Sequence, residues 1–125
     1  MAIPILKLGG VLITSLHPAH TDSDLIQLRD DLAEQIGRFR ATGLVIDVST
    51  LDIMDSYATR LLRGIAGMAR LRGAAAVVVG IQPDVAFAMI QLGLDFEGVA
   101  TGVDLEEGLD LIAAMTRKAA DRGDD

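Results

Sequence analysis

The chain has 125 residues, half of them hydrophobic, with no cysteine and a formal net charge of −7. That length is one domain's worth, and it can bury roughly two-thirds of its extended surface without covalent or metal staples. The missing thiols exclude disulfides, thiolate zinc sites, iron–sulfur ligation and a cysteine nucleophile, and the acidic balance without a basic stripe argues against a nucleic-acid partner.

The opening "MAIPILKLGG" puts no positive leader before an apolar run, so no secretory signal is expected. "IPILKLGGVLITSL" reads as two short strands joined at Gly9-Gly10, where two glycines suit a tight hairpin. "HPAHTDSD" is a loop, and Thr21 or Ser23 caps the helix after it. In that helix Leu25, Leu28, Leu32, Ile36 and Phe39 recur every three or four residues and form one apolar face.

"TGLVIDVST" is nearly continuous in apolar residues, the pattern of a strand covered on both faces. The next helix carries Ala58, Leu61, Leu62, Ile65 and Met68 on one side and ends at Gly73. "AAAVVVGI" is another doubly covered strand, and its apolar run is far too short to cross a bilayer. Pro83 opens a helix with Val85, Met89 and Leu92 inward and Gly93 at its end. A short strand near residues 99–103 precedes the last helix. There Asp104 and Glu107 have capping-box spacing, Leu105, Leu109, Ile112 and Met115 form the buried stripe, and Arg117 and Lys118 lie near the end. Residues 119–125 are expected to form a flexible tail after a domain spanning 1–118. The order β-β-α-β-α-β-α-β-α predicts an α/β domain with a mixed, mostly parallel sheet, opened by an antiparallel hairpin and carrying four helices.

The candidate sites separate quickly. His17 and His20 flank the "HPAH" turn, but a zinc site needs a third ligand, and a solvated loop explains them. No G-x-x-x-x-G-K-S/T or G-x-G-x-x-G motif supports nucleotide chemistry, and no cofactor is implied. Ser56 follows a strand and opens a helix, as a nucleophile elbow does, but the flanking glycines are absent and no base is near it in sequence. The pair Asp55-Ser56 therefore has two readings. One is a helix cap, in which the side chain accepts an N–H bond and does nothing else. The other is a displayed serine: a phosphoryl group there adds roughly −1.5 to −2 charges beside Asp47 and Asp55 and repels a docked partner.

"GLVIDVSTLDIMDSYATRLL" resembles the central segment of STAS domains, the fold of bacterial anti-anti-sigma factors. With "VVVGIQPDVAFAMIQLGL" and "GVATGVDLEEGLDLI" it is similar, from about residue 3 to about 115, to the RsbS type of stressosome protein. Tyr57-Ala58 stand where ordinary anti-anti-sigma factors have Ser-Gly, which moves the resemblance toward the stressosome type.

The resemblance implies a cytoplasmic, non-enzymatic scaffold without cofactor or metal. It would self-associate, or co-assemble with sensor proteins that end in STAS domains, and hold a serine/threonine switch kinase. Ser56 would be the phospho-acceptor, with Thr59 a weaker second. Asp47, Asp55, Tyr57 and Arg60 would contact partners, and a phosphatase would reset the serine. Neither a membrane nor a nucleic acid is an expected partner. Two alternatives stay open: an antagonist that binds an anti-sigma kinase directly, and a STAS module acting with a membrane transporter.

Overall fold

The computed structural model describes residues 2–123. Nine elements follow in the expected order: β1 (Ile5–Leu8), β2 (Val11–Ser15), α1 (Asp22–Phe39), β3 (Gly43–Asp47), α2 (Ser56–Leu71), β4 (Ala75–Val79), α3 (Pro83–Gln91), β5 (Ala100–Gly102) and α4 (Leu105–Gly123). They build one five-stranded sheet in the order β1-β2-β3-β4-β5. β1 pairs antiparallel with β2, and every later pairing is parallel. Gly9 makes the hairpin turn at φ +59°, a left-handed conformation that a β-carbon disfavours.

The alternation of side chains across a strand divides the core in two. Leu12, Leu44, Ile46, Ala76 and Val78 face α1, α2 and α3, where they meet Leu28, Leu32, Leu62 and Ile65. Ile13, Val45, Val77 and Val79 face the other way and meet Ile112, with Leu109 and Met115 packed around it. β3 and β4 are covered on both sides, and this is why their sequences are apolar almost without a break. Each fully buried Leu, Ile or Val contributes roughly 1.5–3 kcal/mol relative to an exposed one.

Three expected core residues lie outside. Phe39 is exposed in the last turn of α1, under the Lys7 ammonium and the Arg38 guanidinium. Leu92 and Leu105 sit at helix ends, where the stripe has run off the sheet, and are exposed too. α4 also continues beyond residue 118, where a tail was expected, and stays helical to Gly123. Residues 124–125 of that expected tail lie outside the described residues.

Thr21 caps α1 in a full capping box with Asp24: each accepts a backbone N–H of the other. The box at α4 is displaced by one residue. Asp104 accepts the Glu107 amide as expected, at 2.9 Å, but Glu107 reaches back to the amide of Val103 rather than of Asp104, at 3.1 Å.

Candidate functional site

The parallel strands β2, β3 and β4 all end on one edge of the sheet, and the loop from β3 to α2 crosses that edge. It is tied on both sides. Thr50 donates its hydroxyl to the Leu16 carbonyl at 2.9 Å, fixing the loop to the end of β2. Gln82 donates its amide to the Ser49 carbonyl at 2.8 Å, fixing it to the segment after β4. Gly80 lies directly below, at φ +84°, and a β-carbon there would meet Ser49 Cβ at 2.8 Å and the Ser49 backbone at 3.1 Å. The Asp47 carboxylate accepts the Ser49 amide at 2.8 Å and closes the first turn of the loop. Asp47 and Thr50 of "DVSTLD" therefore do local work: their side chains hold the path that delivers residues 55 and 56 to the surface.

At the helix start Asp55 is the cap. Its backbone is extended and its carboxylate accepts the Ala58 amide at 2.8 Å. Ser56 is the first helical residue. It is partly exposed, and its Oγ accepts a hydrogen bond from Arg60 Nη2 at 3.4 Å, one turn along the same face. Of the pair Asp55-Ser56, the aspartate is thus the cap and the serine hydroxyl is not.

Thr59, the weaker phospho-acceptor candidate, is fully buried and donates its hydroxyl to the Asp55 carbonyl at 2.9 Å. It lies on the inward stripe with Leu62, Ile65, Ala66 and Ala69. A hydroxyl in that position is closed to an outside active site while the helix is folded. Tyr57 and Arg60 are exposed beside Ser56, and Ile53 projects from the loop with 81% of its surface open to solvent.

The fold brings together one group that the sequence left apart. A cleft of about 340 Å³ opens between the β2–α1 loop and the start of α2, with His17, His20, Asp52 and Asp55 on its walls and Leu16, Leu25 and Ala58 beneath. The imidazoles serve their own loop. His20 Nδ1 accepts the His17 amide at 3.0 Å, and His17 Nδ1 lies 3.4 Å from the Thr50 hydroxyl. Ser56 Oγ is met by the Arg60 guanidinium, and the imidazoles make their contacts within the loops around residues 17–20 and 50. Among the described residues, no group of three or more His, Asp or Glu side chains is placed to hold a metal ion.

The family model of the STAS domain matches residues 7–107. The chain belongs to the STAS family. A structure of Moorella thermoacetica RsbS with a serine-to-glutamate substitution superimposes on this STAS protein with a TM-score of 0.79 at 36% identity, covering 92% of this chain and 97% of that one. A chain from a structure described as the molecular architecture of the stressosome, a signal integration and transduction hub, gives a TM-score of 0.78 at 37% identity, over 91% of this chain and 99% of its own. In sequence, the RsbT co-antagonist protein RsbRD of Bacillus subtilis is 29% identical over 107 residues, which are 86% of this chain but 36% of that protein. The STAS protein thus spans about a third of the longer relative. Among the described residues no helix is long and apolar enough to cross a membrane.

Proposed function

We propose that this STAS protein is a non-enzymatic signalling scaffold that holds a serine/threonine kinase at the rim around Ser56 and releases it when Ser56 is phosphorylated. One observation carries the reading: Ser56 stands partly exposed at the helix start while Asp55 supplies the cap. The fold has no need of that hydroxyl, and it remains available for chemistry. In the transfer, Ser56 Oγ attacks the γ-phosphorus of kinase-bound ATP; its proton passes to a basic group of the kinase and a new P–O bond forms. The bond from the γ-phosphorus to the bridging oxygen breaks, so that ADP leaves with that electron pair.

The product adds roughly −1.5 to −2 charges to a rim that already carries Asp52 and Asp55, without disturbing the Asp55–Ala58 bond. A partner seated on Ile53, Tyr57 and Arg60 then faces uncompensated negative charge. Likeness to two RsbS and stressosome structures at 36% and 37% identity supports placing the chain in such an assembly. Likeness to the STAS-sized portion of RsbRD supports co-assembly with longer, sensor-bearing proteins.

Incubation with the cognate kinase and ATP, followed by mass spectrometric mapping, tests the reading. Phosphate is expected on Ser56 and not on Thr59. Ser56→Ala is expected to keep the kinase bound after ATP addition, and Ser56→Asp to weaken retention. Absence of phosphate from residue 56 after complete reaction would end the proposal. Light scattering on the protein with and without a co-expressed sensor partner reads the assembly directly.

A further inference from the structure

We propose that Arg60 is the built-in counter-ion of phosphorylated Ser56. The inference rests on the reading of Ser56 as the modified residue. It starts from the guanidinium already held 3.4 Å from Ser56 Oγ across one helical turn. At that i, i+4 spacing two side chains share a face and meet without any change of backbone. The neutral hydroxyl is a weak partner for a guanidinium. A phosphoryl group grown from the same oxygen offers three charged acceptors to the planar fork, a match that arginine makes in bidentate fashion.

The other arginines along the helix are engaged elsewhere. Arg63 lies 4.0 Å from Asp95, and Arg70 donates to the Gly98 carbonyl. Arg60, Arg63, Gly64, Gly67, Arg70 and Glu97 line a shallow groove, and Arg60 forms the end nearest Ser56. Before modification its charge meets only a neutral hydroxyl and is presented at the surface of that groove. Afterwards it is claimed by the phosphate. One covalent event then changes two features of that face: an anion appears at residue 56, and the cation at residue 60 is paired with it. The titratable groups on the cleft beside the start of the helix are Asp22, Asp52 and Asp55, whose charge opposes ionisation of a phosphate at residue 56, and His17 and His20, so capture by Arg60 acts against the carboxylates.

The test needs no kinase. Phosphoserine is installed at position 56 during translation, and the second ionisation of the phosphate is followed by phosphorus NMR across neutral pH. In the otherwise native protein this ionisation is expected roughly half a pH unit or more below that in Arg60→Gln, because a nearby cation favours the dianion. Arg60→Lys is expected in between, since an ammonium supplies charge without the fork. Arg60 is exposed, so both variants should retain the helical circular dichroism of the parent, and a merely structural role would not move the phosphate titration. Coincident titrations of the three proteins would overturn the capture. Failure of the cognate kinase to label Ser56 would sink the phosphorylation reading and leave this result standing; coincident titrations would do the reverse.

Discussion

Asp55 accepts the Ala58 amide at 2.8 Å across the first turn of α2, and Ser56 sits between the two with its hydroxyl outside that bond. On the proposed function, stability and signalling fall to adjacent residues. Asp55→Ala should cost about 1 kcal/mol, the usual loss for an N-cap, while Asp55→Ser should restore most of it. Ser56→Ala should stay within about 0.5 kcal/mol of the parent. Urea denaturation of the three variants checks the ranking. If Ser56→Ala proves as costly as Asp55→Ala, the hydroxyl is structural and the division fails.

Two glycines on the helices should respond in opposite directions to the same substitution. A β-carbon on Gly108 would lie 2.7 Å from Val79 Cγ1 and 3.6 Å from Val45 Cγ1, where α4 rests on the sheet. Gly108→Ala must lift the helix or shift the valines, at about 1–3 kcal/mol. A β-carbon on Gly64 meets nothing within 4 Å. Gly64→Ala should stabilise the protein by about 0.5–1 kcal/mol through helix propensity alone. Thermal melts that moved both variants the same way would contradict the packing described for α4.

The helix and strand order was legible because the central strands announce how they are covered. Val45 and Ile46 point to opposite layers, and both are fully buried, so β3 could carry no polar alternation. Phe39, Leu92 and Leu105 misled for a common reason: periodicity gives the face of a helix but not how far the facing layer extends. The site was legible as a position and not as a division of roles. Either residue of Asp55-Ser56 is a good cap, and only the backbone shows that the helix begins after Asp55. The burial of Thr59 did carry a signal, since it precedes Leu62 by three and Ala66 by seven on the inward stripe. The placing of His17 and His20 beside Asp55 carried none, because it depends on how two loops meet at one sheet edge.

The capping box of α1 makes a prediction about acid. The Thr21 amide, above all, holds the Asp24 carboxyl down, lowered from 3.8 to about 2. A carboxyl whose pKa is depressed by folding contributes stability above its unfolded value, and that contribution is lost as pH falls toward the folded value. The window therefore runs from about pH 4 down to about pH 2. Asp24→Asn should lessen the drop in urea midpoint between about pH 5 and about pH 2.5, relative to the parent. An equal drop in both proteins would show that the box does not bind its proton differently in the folded state.

Ile53 and Tyr57 flank Ser56 on the same rim, 81% and 40% exposed. No intramolecular packing accounts for exposing a large aliphatic and an aromatic side chain so close together, whereas a docked protein would cover both. On the proposed function, Tyr57→Ala should weaken kinase binding on the order of tenfold or more, as truncation of a central interface aromatic does. Ile53→Ser should weaken it less. Neither should move the stability of the free protein by more than about 0.5 kcal/mol, because neither contributes to the core. Leu71, 92% exposed at the far end of the same helix, provides the control. Leu71→Ser changes surface hydrophobicity by a similar amount at a distance from Ser56, and should leave the affinity as it was. Titration calorimetry of the four proteins against the kinase distinguishes a local docking rim from general surface stickiness: if Leu71→Ser weakens binding as much as Tyr57→Ala, the rim around Ser56 is not where the partner sits.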